Sequence, residues 1–252
     1  MRVMATQIGD GEVRKRSRKL KLFWLIPSSA AAGVAIIAAT LWVWGAKEVR
    51  GDAGAVLFLT FVGIVWLVVA HALFPWLGLS IRDDAFDRNN HAAAVALACA
   101  LISVALTFAA GNLGEGPSYW ENVFCAALAT GGLFVLWILM ELFGRISVSI
   151  AEERDVASGV RFGGLLLAWG LILGRATTGN WHSCDDSLRS FLRDGWVAAI
   201  LLLPALVVEL LLKPSRLRPF PSWIACGVMP AIAYLVAAAI WLWRLGRWEG
   251  MP

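Results

Sequence analysis

The chain has 252 residues, 59% hydrophobic and 16% charged, with a formal net charge of +4 and a mean hydropathy of +0.70. A soluble domain carries about 25% charged residues, and here the charges cluster between apolar stretches close to the roughly 20 residues that cross a bilayer core. This excludes a soluble domain and predicts an all-α, polytopic membrane helical bundle.

In chain order, residues 1–22 form a basic tail carrying Arg2, Arg14, Lys15, Arg16, Arg18, Lys19 and Lys21. Such a run ahead of an apolar segment fixes topology or touches anionic lipid, and nucleic acid is not an expected partner. Residues 23–45 are too long for a signal-peptide core and lack a small-x-small cleavage site, so they read as a retained anchor helix. Further spans are expected at 53–79, 91–110, 124–143, 156–174, 197–212 and 224–243. With the N-terminus inside, the inner segments hold fifteen Lys and Arg against seven outside, so the positive-inside rule predicts a cytoplasmic N-terminus and a periplasmic C-terminus. Trp42, Trp44, Trp120, Trp181, Trp196, Trp241, Trp243 and Trp248 fall at or beyond the outer ends and read as an aromatic belt. Trp66, Trp137 and Trp169 lie mid-span, where helix packing is the simpler explanation.

The outer connections are short except 177–195, where Ser187-Leu-Arg-Ser-Phe-Leu-Arg193 spaces apolar residues as a short interfacial helix would. None of the four cysteines lies in a Cys-x-x-Cys spacing. Cys99 and Cys226 read as small packing residues; Cys125 and Cys184 would share the outer side, with free thiols expected over a disulfide.

The fourth and fifth spans overlay the sixth and seventh at an offset of 68, matching Glu141-Leu142 with Glu209-Leu210, Arg145 with Lys213, and VASGV at Val156 with IACGV at Ile224. The second and third spans follow the same plan, with HAAAV at His91 matching VASGV and ALFPWLGLSI at Ala72 matching ELFGRISVSI at Glu141. The expected organisation is one anchor helix and three hairpin repeats, at 53–110, 124–175 and 197–243, each turning on the cytoplasmic side. A repeat of two spans keeps its orientation, so its copies are related about the membrane normal. The small residues opening the third, fifth and seventh spans let backbones approach closely.

The run Asn89-Asn90-His91-Ala92-Ala93-Ala94, and Asp155-Val156-Ala157-Ser158-Gly159-Val160 followed by GGLLLAWGLILG, resemble the second-helix openings of the YjfL-like bacterial inner-membrane proteins, which are built from tandem copies of domain of unknown function 350. The resemblance covers roughly residues 55–175 and, more weakly, 197–243. Asp155 stands where Asn is expected and Trp223 stands there in the third copy. The resemblance implies a bacterial inner-membrane location and a role in the cell envelope, of the kind associated with envelope stress, and no reaction.

No motif fixes a chemistry. Lys213-Pro-Ser-Arg-Leu-Arg218-Pro219 is like the opening of a lipid-phosphatase signature, but the spacing is short and no Ser-Gly-His follows. Glu152-Glu153-Arg154 resembles part of an intramembrane glutamate protease, without the matching arginine or the paired intramembrane histidines of zinc chemistry. No Gly-x-Ser-x-Gly or phosphate-binding loop occurs, so neither an enzyme nor a cofactor is expected. His182, Cys184 and Asp185 are metal-ligating types, yet neighbours in sequence rarely converge on one ion, and a polar loop with a capping Ser or Asp is expected.

His71, Glu141 and Glu209 are ionisable residues within apolar spans, hence the candidate binding residues. The structural reading pairs Glu141 with Arg145 and Glu209 with Lys213, at i,i+4. Two functions follow. One is a non-enzymatic membrane scaffold that contacts lipid and either forms homo-oligomers or recruits a membrane or cytoplasmic protein. The other is a channel or transporter for a cation or small polar solute, with Glu141 and Glu209 in its pathway. The first is the reading preferred from the sequence.

Overall fold

The computed structural model describes residues 24–116, 119–214 and 222–247. The basic tail, most of the 213–219 motif and Trp248 lie outside the described residues. The helices are α1 (Trp24–Trp44), α2 (Ala53–Leu73, prolonged by a 3-10 turn to Leu77), α3 (His91–Gly111), α4 (Tyr119–Gly144), α5 (Val156–Ala176), α6 (Cys184–Leu212) and α7 (Met229–Leu245, entered through the π-turn Ile224–Val228). Taken with those turns, all seven are long and apolar enough to cross a membrane, and the described residues form no strand. The protein is a multi-pass membrane helical bundle whose outer surface meets lipid.

Two spans differ from expectation. α4 starts at Tyr119 and not 124, and α6 starts at Cys184 and not 197. The interfacial helix expected at Ser187–Arg193 is therefore the opening of a continuous 29-residue helix. Ser183 caps it, its hydroxyl accepting from the Asp186 N–H. Two features let the helix run on. Asp194 is held by Arg193 at 2.8 and 2.9 Å, and Gly195 falls where α6 approaches Ala176 of α5.

α3 and α5 form the centre. Within their apolar windows 78% of residues are buried, against 28–44% in the other spans. Between lipid-immersed helices no hydrophobic force acts, so close packing of small residues must hold them together. A Cβ added at Gly163 would stand 2.9 Å from the Cys99 sulfur, at Gly170 3.1 Å from the Ser103 Cα, and at Gly174 3.0 Å from the Ala110 Cβ. α1 joins through Gly33, which lies against Ala105, and through Ile37, which lies against Gly63 of α2. The mid-span tryptophans also serve packing: Trp137 is fully buried against Phe74 and Phe162, Trp169 donates to the Ala198 carbonyl at 3.0 Å, and Trp66 donates to Thr130 at 3.1 Å.

At one end of the bundle, called here the turn end, α2 connects to α3 and α4 to α5 through the same backbone plan. Each helix stops at a left-handed residue, Gly78 (φ 93°) or Arg145 (φ 52°). A π-turn follows (Ile81–Asp87, Val148–Glu152), then a second left-handed residue, Asn89 (φ 49°) or Arg154 (φ 55°). The next helix is then capped by Asn90 or Asp155, whose side chains accept from the N–H groups two and three residues on. Asn90 is itself buried and donates from Nδ2 to the Ile150 carbonyl at 2.7 Å, which locks the first turn onto the second. Asn90→Ala removes both a cap and this bridge. It should lower stability by about 1–2 kcal/mol in detergent thermal unfolding, more than Asp52→Ala at the exposed cap of α2.

Candidate functional site

Arg161 lies in the second turn of α5, between Ala157-Ser158-Gly159 and Gly163-Gly164. Small neighbours leave room for its side chain to run inward, and only 2% of it is exposed. Its Nε and Nη2 donate to one carboxylate oxygen of Glu209 on α6, at 2.9 and 2.5 Å, and Glu209 has no exposure at all. Nη2 also reaches the Ser158 hydroxyl at 3.0 Å, and that hydroxyl donates to Asp155 at 2.7 Å. Nη1 donates to the Cys226 carbonyl in the π-turn leading to α7. The α-helical donor to that carbonyl is absent, because the residue four further on is Pro230, which has no N–H. One guanidinium thus ties α5, α6 and α7 together and neutralises the buried carboxylate. Tyr234 of α7 lies within electrostatic range of both charges, with a buried hydroxyl that has no hydrogen-bond partner among the described residues.

The other residues singled out by sequence are elsewhere. Glu141 is half-buried and does not pair with Arg145; its carboxylate accepts from the Ser147 hydroxyl at 2.6 Å and the Ser147 N–H at 2.8 Å, bracing the turn beside Gly78. The ion partner of Glu209 is Arg161 and not Lys213. His71 is exposed, its ring nitrogen 3.2 Å from the Val68 carbonyl, and joins neither carboxylate. His182, Cys184 and Asp185 are at the opposite end, and among the described residues no group of three or more His, Cys, Asp or Glu is arranged to hold a metal. All four cysteines are free thiols.

Sequence reasoning did not single out Arg161, which stands among the fifteen basic residues assigned to the inner side. The signal was available: it is a charge five residues past the start of the expected span at 156–174, and a charge inside a span calls for a named partner.

The fold and this site define a class, the polytopic all-helical membrane proteins, with a charge pair buried among three of the spans. Comparison with protein-family models, with curated proteins and with solved structures finds no match to the chain.

Proposed function

We propose that this protein is a non-enzymatic, non-conducting scaffold of a bacterial inner membrane, with its N-terminus in the cytoplasm and its C-terminus in the periplasm. The observation that carries this reading is the filled centre. α3 and α5 occupy the bundle axis at near-backbone contact, where a pathway would otherwise run. The carboxylate offered as a cation ligand is already neutralised by Arg161, and Glu141 serves a turn. Reconstituted in vesicles with cation- and proton-sensitive dyes, the protein should leak no faster than protein-free vesicles. A flux that disappears in Glu209→Gln would replace this reading with cation passage.

The same proposal takes α2–α3, α4–α5 and α6–α7 as copies of one hairpin, in keeping with the likeness to the YjfL-like proteins. Two sets of correspondences support it. In the turns, the left-handed residues Asn89 and Arg154, the caps Asn90 and Asp155, and the N–H bonds from Asn90 to the Asp84 carbonyl and from Asp155 to the Ser149 carbonyl all differ by 65. In the packing, Gly159 meets Ala92 as Gly227 meets Ala157, and Gly163 meets Cys99 as Ala231 meets Gly164. Each second helix therefore docks on the preceding one through the same notch, so α3, α5 and α7 form a ladder. Trp223 does not cap its helix as Asn90 and Asp155 do, and the third entry is held by Arg161 from α5 instead.

A further inference from the structure

At the end opposite the turns, a cavity of about 660 Å³ opens between the end of α5, the first half of α6 and the end of α7. Five arginines line it: Arg175, Arg189, Arg193, Arg244 and Arg247. Among the described residues that line it, two carboxylates, Asp186 and Asp194, stand against the five arginines, a formal surplus of three positive charges within that set. Asp194 is committed to Arg193 through two hydrogen bonds, at 2.8 and 2.9 Å. Arg175 is held in place by the Thr178 hydroxyl and the Gly246 carbonyl, both at 3.3 Å. Arg189 reaches Asp185 at only 3.7 Å, with both side chains largely in solvent, a pairing of little strength.

Helix electrostatics account for part of this cluster. Arg175 and Arg244 lie in the last turns of α5 and α7, where a cation balances the C-terminal carbonyls. They do not account for Arg189 and Arg193, which lie in the second and third turns of α6, beyond the reach of its terminal dipole. Those two are four apart and so share a face of the helix. Arg247 lies beyond α7 altogether. Repulsion among these groups is relieved by an anion between them, and guanidinium forks match the paired oxygens of an oxyanion such as phosphate bidentately. Asn180 and Ser190 add neutral donors to the same wall.

We propose that this cavity binds a phosphate-type oxyanion. Trp181 lines the cavity, and Trp241, which stacks edge-on against Trp196 with ring centroids 5.7 Å apart, donates to the carbonyl of the lining Asp194 at 2.9 Å; tryptophans gathered at a helix end are the mark of headgroup depth. The phosphate therefore comes either from an anionic phospholipid of the adjoining leaflet or from a soluble ion entering from the aqueous side. The site is independent of whether anything crosses the bundle.

The test compares the full-length protein with Arg189→Gln/Arg244→Gln and, as a control at the turn end, Arg88→Gln. Two probes are used in neutral detergent: phosphatidylglycerol, with phosphatidylcholine as the uncharged comparison, followed by native mass spectrometry, and inorganic phosphate followed by calorimetry. Retention of phosphatidylglycerol over phosphatidylcholine, falling roughly tenfold or more in the double variant and unchanged in Arg88→Gln, supports the headgroup source. The same pattern with inorganic phosphate supports the soluble source. Binding of neither probe, or equal binding by the double variant, overturns the proposal. Should the double variant fail to fold, Arg247→Gln, an exposed residue beyond the last helix, is read by the same criteria.

Discussion

Arg161→Met should be among the most destabilising single substitutions in the protein, lowering stability by about 3–5 kcal/mol, the usual cost of leaving a buried charge without its partner. It strands the Glu209 carboxylate, which has no exposure, and removes the donor to the Cys226 carbonyl, which Pro230 cannot replace. Arg161→Lys keeps the charge but cannot serve Glu209, Ser158 and the carbonyl in one plane, so its loss should be intermediate. Glu209→Met leaves the guanidinium buried and unpaired and should also be costly. The double variant Arg161→Met/Glu209→Met should be more stable than either single variant that removes one charge, because the desolvation of both charges disappears together. Thermal unfolding in detergent, followed by tryptophan fluorescence, measures all four. Lys213→Ala and Arg145→Ala, the partners expected from sequence, should change stability by no more than about 0.5 kcal/mol. Additive effects of Arg161→Met and Glu209→Met would mean that the pair is not a coupled unit.

The spans were legible because length and apolarity suffice to mark them, and their ends fall within a few residues of the expected positions for α1, α2, α3, α5 and α7. The first turns of α6 were not, because Arg189, Arg193 and Asp194 read as aqueous residues. The mutual neutralisation of Arg193 and Asp194 is a contact that spacing alone does not disclose. The carboxylates teach a related lesson. In the proposed repeat Glu141 and Glu209 occupy matching places, yet their environments differ, since Glu209 meets Arg161 and Glu141 meets Ser147. Moving back 65 positions from Arg161, the offset of the proposed repeat, gives Ala96, which is fully buried and offers no charge. Glu141 has therefore no cation in the preceding second helix and turns to Ser147. Sequence symmetry located the two carboxylates, while the residue on the facing helix decided what each does.

The close approach of α3 and α5 supplies the remaining large effect, and glycines at different places should respond in opposite directions. A Cβ added at Gly131 of α4 would meet nothing within 4 Å, so Gly131→Ala should stabilise the protein by roughly 0.5–1 kcal/mol through backbone entropy and helix propensity alone. Gly159 faces the Ala92 Cα, which a Cβ would meet at 2.8 Å along with the Ala92 carbonyl group. These are backbone atoms in the opening turn of α3, already fixed by the Asn90 cap and by its bridge to Ile150, and they cannot step aside as a side-chain tip would. Gly159→Ala should therefore forfeit its propensity gain and destabilise, and Gly159→Val, which adds a branched side chain to the same gap, should lose about 1–3 kcal/mol or more by overpacking. Because Arg161 is two residues on, a displaced α5 would also loosen the Glu209 pair, so Gly159→Val should weaken the effect of Arg161→Met when the two are combined. Unfolding midpoints of the three glycine variants in one detergent give the comparison. Equal responses at 131 and 159 would show that α3 and α5 do not meet at backbone distance.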